Sequence, residues 1–281
     1  MFRFLFLVTG LAITPLLARA DSQMELHLVL AFDVSASVND AEFALQRRGT
    51  VEALESLRVR AAIEAAPGGI AMSIVQWSSI GQQALGLDWV HLQTASQIDD
   101  FAEAVDAMPR RLSGGGTMIH TGLEFAAQMY ETAPGQAHRQ VIDLSGNGRT
   151  DDEPALLEMR DRLNRAGVVI NGLAIEEDHK ELTQYFYRVV IGGLGAFVET
   201  ADDFPVFAKA MERKLYREIS GPSFARLGQQ TMSPIPETPG PVLIMDIGSS
   251  PENDLPAQGR DRLLHQPRGA WAVTPPNPKR H

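Results

Sequence analysis

Cysteine is absent from the 281 residues, so no disulfide can hold this fold. Stability has to come from a packed core, with or without a bound ion. Basic runs are absent too, and the formal charge is −10, which sets aside nucleic acid and anionic membrane surfaces as partners. Internal repeats are lacking. Long apolar runs are scarce, since the only extended one is Phe4 to Leu17 at the N-terminus, shorter than the roughly 18 to 20 residues a spanning helix needs.

That run reads instead as the apolar part of a signal peptide. Arg3 precedes it, and Ala18-Arg19-Ala20 forms a small-x-small cleavage site before Asp21. Residues 1–20 are therefore expected to be removed after Ala20, leaving a periplasmic or secreted protein with a formal charge of −12. A globular domain is expected over residues 21–220. Beyond it the composition shifts, with 11 of the 17 prolines in residues 221–281, which predicts an extended, largely disordered tail. Val242-Leu243-Ile244-Met245 is its one apolar stretch, read as docking back on the domain or binding a partner.

Between these ends strand and helix patterns alternate, as in a doubly wound, mostly parallel sheet flanked by helices. Strands are expected at Glu25–Phe32, Ile70–Trp77, Gln140–Ser145 and Val168–Ile175. An edge strand is expected at Gln83–Val90 and a short one at Gly195–Glu199. The spacing predicts one long helix over Asp40–Ala66, and further helices over Ala95–Met108, around Ile119–Tyr130, and over Glu153–Ala166, Leu182–Val190 and Phe204–Ile219.

Three loops carry oxygen donors at the carboxyl ends of strands, where open α/β sheets bind ligands. Asp33-Val34-Ser35-Ala36-Ser37 follows the first strand. Gly114-Gly115-Gly116-Thr117 precedes a helix. Ser145-Gly146-Asn147-Gly148 ends the central strand. One carboxylate with several hydroxyls suits a hard cation, although each loop alone also reads as a cap or turn. His27, His91, His120 and His138 lack zinc-ligand spacing. Glu176-Glu177-Asp178-His179 reads as a solvated acidic loop.

In this order the motifs resemble the metal-ion-dependent adhesion site of von Willebrand factor A domains, over about residues 24–219. FDVSASV, VIDLSGNG, and the stretch from YFYRVVIGGLGAFV through KLYREIS are similar to a family of exported bacterial A-like proteins, a domain of unknown function. The resemblance implies a Rossmann-like A-domain fold. It implies that Ser35, Ser37 and Thr117 coordinate Mg²⁺ (or Mn²⁺/Ca²⁺) through their hydroxyls and that Asp33 acts through a water. The last coordination position would be left to an acidic side chain of another exported or envelope protein.

One departure is Asn147 where many members carry Asp. The amide can orient a water or supply a carbonyl oxygen but brings no charge. Asp143, at period two from Ser145 and Asn147, either replaces that charge or is a hydrogen-bonded structural Asp, and its depth in the strand favours the structural role. The alternatives are a metal-free scaffold or assembly module and, less favoured, a hydrolase. The chain lacks G-x-S-x-G around Ser145, the Lys of a phosphate-binding loop, and any visible nucleophile–base pair. No enzymatic activity is expected.

Overall fold

The computed structural model describes residues 23–177 and 179–221. The proposed signal peptide, the proline-rich tail with Val242–Met245, and Asp178 lie outside the described residues.

The strands are β1 (Met24–Asp33), β2 (Ile70–Trp77), β3 (Gln83–Leu92), β4 (Ala137–Gly146), β5 (Val168–Ile175) and β6 (Val198–Ala201). They form a single six-stranded sheet in the order β3-β2-β1-β4-β5-β6. Only β3 runs antiparallel to its neighbour. The near-continuous apolar runs of β1 and β2 follow from this topology, because parallel central strands are covered on both faces.

Side-chain alternation sends Leu28, Leu30 and Phe32 of β1 to one face and Val29 and Ala31 to the other. The first face packs against α1 (Asp40–Glu55), α2 (Leu57–Ala65), α3 (Ala95–Ala107) and, last among the described residues, α7 (Phe207–Ser220). The second packs against α4 (Ile119–Gln128), α5 (Glu153–Arg165) and the single turn α6 (Leu182–Tyr185). Each fully buried Leu, Ile or Phe here contributes about 1.5 to 3 kcal/mol. α4 lies especially close to the sheet: a Cβ on Gly122 would stand 2.6 Å from Trp77 Cγ, so only glycine permits this approach.

Three expected boundaries are corrected. The long helix over Asp40–Ala66 is two helices, because the chain turns extended at Ser56, whose hydroxyl then caps α2 by accepting from the Val59 N–H. The apolar spacing continues across that break, so periodicity alone runs the two together. The short strand falls at Val198–Ala201 rather than Gly195–Glu199. The helix over Leu182–Val190 is one α-turn followed by a π-turn at Phe186–Val190.

β1 has β2 on one side and β4 on the other, so the strand order reverses there. The carboxyl ends of β1 and β4 flank the resulting crevice.

Candidate metal centre

Asp33, the last residue of β1, is fully buried. Its Oδ1 accepts the Ser35 N–H at 2.8 Å, curling the chain into a tight turn. Its Oδ2 is buried with no hydrogen-bond partner, and a Cβ on Gly146 would stand 3.1 Å from it. Burial pushes the Asp33 carboxyl up to about 6, against hydrogen bonds from Ser35 and the Asn147 backbone and the positive charge of Arg110.

The first and third loops meet through side chains. The hydroxyls of Ser35 and Ser37 are 3.1 Å apart. Ser37 Oγ donates to Asn147 Oδ1 at 2.7 Å, and Asn147 Nδ2 donates back to the Ser37 carbonyl at 3.2 Å. The first and second loops meet through backbone, since the Ala36 N–H donates to the Gly115 carbonyl at 2.9 Å. Gly115 has φ 132, a conformation that glycine alone adopts readily. The second and third loops are neighbours as well, with Thr117 Oγ1 3.7 Å from where a Cβ on Gly148 would lie. Asp33, Ser35, Ser37, Thr117 and Asn147 thus sit on three loops in mutual contact.

Several residues that the sequence reading passed over hold these loops. Buried Gln46 of α1 donates to the Asp33 carbonyl at 3.1 Å and accepts from Ser145 Oγ at 3.3 Å, tying the ends of β1 and β4. Ser78 Oγ donates to the carbonyls of Gly114 and Gly116. Asp151 accepts the Thr117 N–H at 2.8 Å while its own N–H donates to the Thr117 carbonyl at 2.9 Å. Arg110 spans Asp40 and the Val34 carbonyl. These links join residues 13 to 99 positions apart in the chain, so no local motif announces them.

Asp143 lies elsewhere. It is buried within β4 and ion-paired at 2.9 Å to Lys214 of α7, which also pairs with Glu218 at 2.9 Å. Asn171 completes the cluster by donating to Glu218 at 2.9 Å. In the acidic stretch after β5, Glu176 accepts the Thr183 N–H at 2.9 Å. Trp77 is fully buried.

The donor set is one buried carboxylate, three hydroxyls and an amide. Among the described residues no three His, Cys, Asp or Glu side chains gather at one point. Hydroxyls and a lone carboxylate suit a hard divalent cation rather than zinc in a thiolate or imidazole site. The unpartnered Asp33 oxygen is the local feature that fits such an ion.

A six-stranded, mostly parallel sheet with these loops at its reversal point defines a von Willebrand factor A-like domain. The chain belongs to the family described as "Protein of unknown function (DUF1194)", which matches residues 23–223. The fold is similar to proximal thread matrix protein 1 from the mussel byssus, solved with a zinc-occupied MIDAS motif, where MIDAS is the adhesion site named above. There the TM-score is 0.53 at 16% identity, covering 71% of this chain and 49% of that one. It is also similar to a von Willebrand factor type A protein from Catenulispora acidiphila, with TM-score 0.50 at 16% identity, covering 69% and 43%. The PilB minor pilin from Streptococcus sanguinis gives 0.52 at 11% identity, covering 73% and 63%. The chain therefore spans less than two thirds of each of these structures. No curated protein matches it.

Proposed function

We propose that this chain is an exported, non-enzymatic binding module that recognises an acidic group on a partner protein through a divalent cation held by Asp33, Ser35, Ser37, Thr117 and Asn147. The carrying observation is the buried, unpartnered Asp33 Oδ2 at the meeting point of three hydroxyl-bearing loops. Asp33 supplies the negative charge and fixes the turn; Ser35, Ser37 and Thr117 supply neutral oxygens. With only one carboxylate in the set, a bound Mg²⁺ (or Mn²⁺/Ca²⁺) keeps excess positive charge and attracts an incoming carboxylate. The similar structures include a thread matrix protein with an occupied site and a minor pilin. Those likenesses favour a role in contacts between proteins outside the cytoplasm. No described helix is long and apolar enough to cross a membrane.

Calorimetric titration with Mg²⁺, Mn²⁺ and Ca²⁺ tests the ion. Heat and a thermal upshift are expected for the wild type and not for Ser35→Ala. Binding of an immobilised Asp- or Glu-bearing peptide should then vanish with EDTA. No response to any divalent ion at millimolar concentration would sink this reading and leave the second one, a metal-free scaffold or assembly module. That alternative draws on Asn147, a neutral residue already hydrogen-bonded to Ser37 in both directions.

A further inference from the structure

We infer that Asn147 is a neutral clamp that keeps the first and third loops joined when no cation is bound, and that it does so at the expense of affinity for the cation. The inference rests on the ion reading above for its second half only. The first half concerns the protein alone.

The geometry requires a side chain that both accepts and donates. Asn147 Oδ1 accepts from Ser37 Oγ at 2.7 Å, and Nδ2 donates to the Ser37 carbonyl at 3.2 Å. Asn147 is buried, so either group left alone would stay unsatisfied away from water. A carboxylate of the same shape keeps only the accepting half. It would set a negative oxygen against the Ser37 carbonyl, in a crevice that already holds buried Asp33. With two carboxylates against the charge of Arg110, the loops would repel unless a cation sat between them. An amide removes that dependence. The Ser35 and Ser37 hydroxyls, 3.1 Å apart, then continue the chain of hydrogen bonds into the first loop. The loops are thereby aligned before any ion arrives.

The amide also carries a cost. One formal charge rather than two faces the ion, and affinity for hard cations scales with ligand charge count. The chain therefore trades tight binding for a pre-formed, weakly loaded site.

Thermal unfolding and Mg²⁺ titration of the full chain separate the two halves. In EDTA, Asn147→Asp is expected to lower Tm by roughly 4 to 8 °C. With Mg²⁺ it should regain that loss and bind the ion at least roughly tenfold more tightly than the wild type. Ser37→Ala, which removes the hydroxyl but keeps the carbonyl, should show a smaller fall in EDTA, and it serves as the second variant should Asn147→Asp fold poorly. An Asn147→Asp protein as stable in EDTA as the wild type, with Ser37→Ala equally unaffected, would overturn the clamp. A fall in EDTA with no Mg²⁺ response in any variant would uphold the clamp and reject the ion reading.

Discussion

Asp33 at the end of β1 and Asp143 within β4 are equally hidden from solvent, and burial raises the carboxyl of both. Their surroundings differ. Asp143 has a counter-charge built into the chain: the Lys214 ammonium of α7, itself inaccessible, reaches both it and Glu218. Burial and the neighbouring Glu218 push Asp143 well above the usual carboxylate range, while Lys214 opposes them. Asp33 has no such lysine. The Ser35 hydroxyl, the backbone of Ser35 and Asn147 and the charge of Arg110 favour its ionised form, and its Oδ2 makes no hydrogen bond of good geometry. The same problem of a buried acid is answered in one region by a permanent cation and, on the proposed reading, in the other by an exchangeable one. A locked interior and, on that reading, a responsive loop cluster follow from that single difference.

Removing the permanent cation should do the most damage. Lys214→Met leaves Asp143 and Glu218 facing each other without compensation, and a loss of about 3 to 5 kcal/mol is expected in denaturant unfolding. A loss below about 1 kcal/mol would mean that the cluster does not lock α7. The next effect depends on pH. The folded-state value for Asp33 lies near 6, above its ordinary 3.8. Its contribution is therefore full below about 3.8 and is lost as pH rises through about 6, a drop of about 2 to 3 kcal/mol. In EDTA the wild type should lose that stability between pH 4 and 7, and Asp33→Asn should lack this part of the slope. Parallel slopes for the two proteins would place Asp33 in water. Gln46→Ala should cost about 1 to 3 kcal/mol, and it should weaken Mg²⁺ binding as well, because Gln46 holds Asp33 and Ser145 together. Arg162→Ala sits at the bottom of the scale. Its pair with Glu124 is about half exposed on both sides, so the change should stay within about 0.5 kcal/mol.

The responsive region was the more legible of the two in the sequence. Asp33, Ser35 and Ser37 are packed into five residues after an apolar strand, and Thr117 and Asn147 each sit in a glycine-rich turn at an element boundary. Local chemistry of that kind can be read without coordinates. The sheet and its helices were legible for the same reason, since periodicity is a local signal. The locked region was legible only in part: the depth of Asp143 in its strand pointed to a structural role, but its partner was hidden. Lys214 belongs to an amphipathic helix whose pattern assigns charged residues to solvent, and its partner Asp143 lies 71 positions earlier. Only their joint burial reveals the pair. Asp151 was passed over because its carboxylate and N–H grip the backbone of Thr117, which no residue type at that position advertises. Ser56 was passed over because apolar spacing runs unbroken across the residue that ends α1.

The sheet's margins bear on how a second chain can approach. β6 offers four residues, and β3 has register irregularities facing β2 between Met72 and Val75. Such borders are poor templates for an added strand, whether from a partner or from another copy of this protein. A described domain bordered in this way discourages strand addition along its sides. On the proposed reading, binding at the crevice and strand addition at the sheet margins would then use different surfaces, so one could be altered without inviting the other.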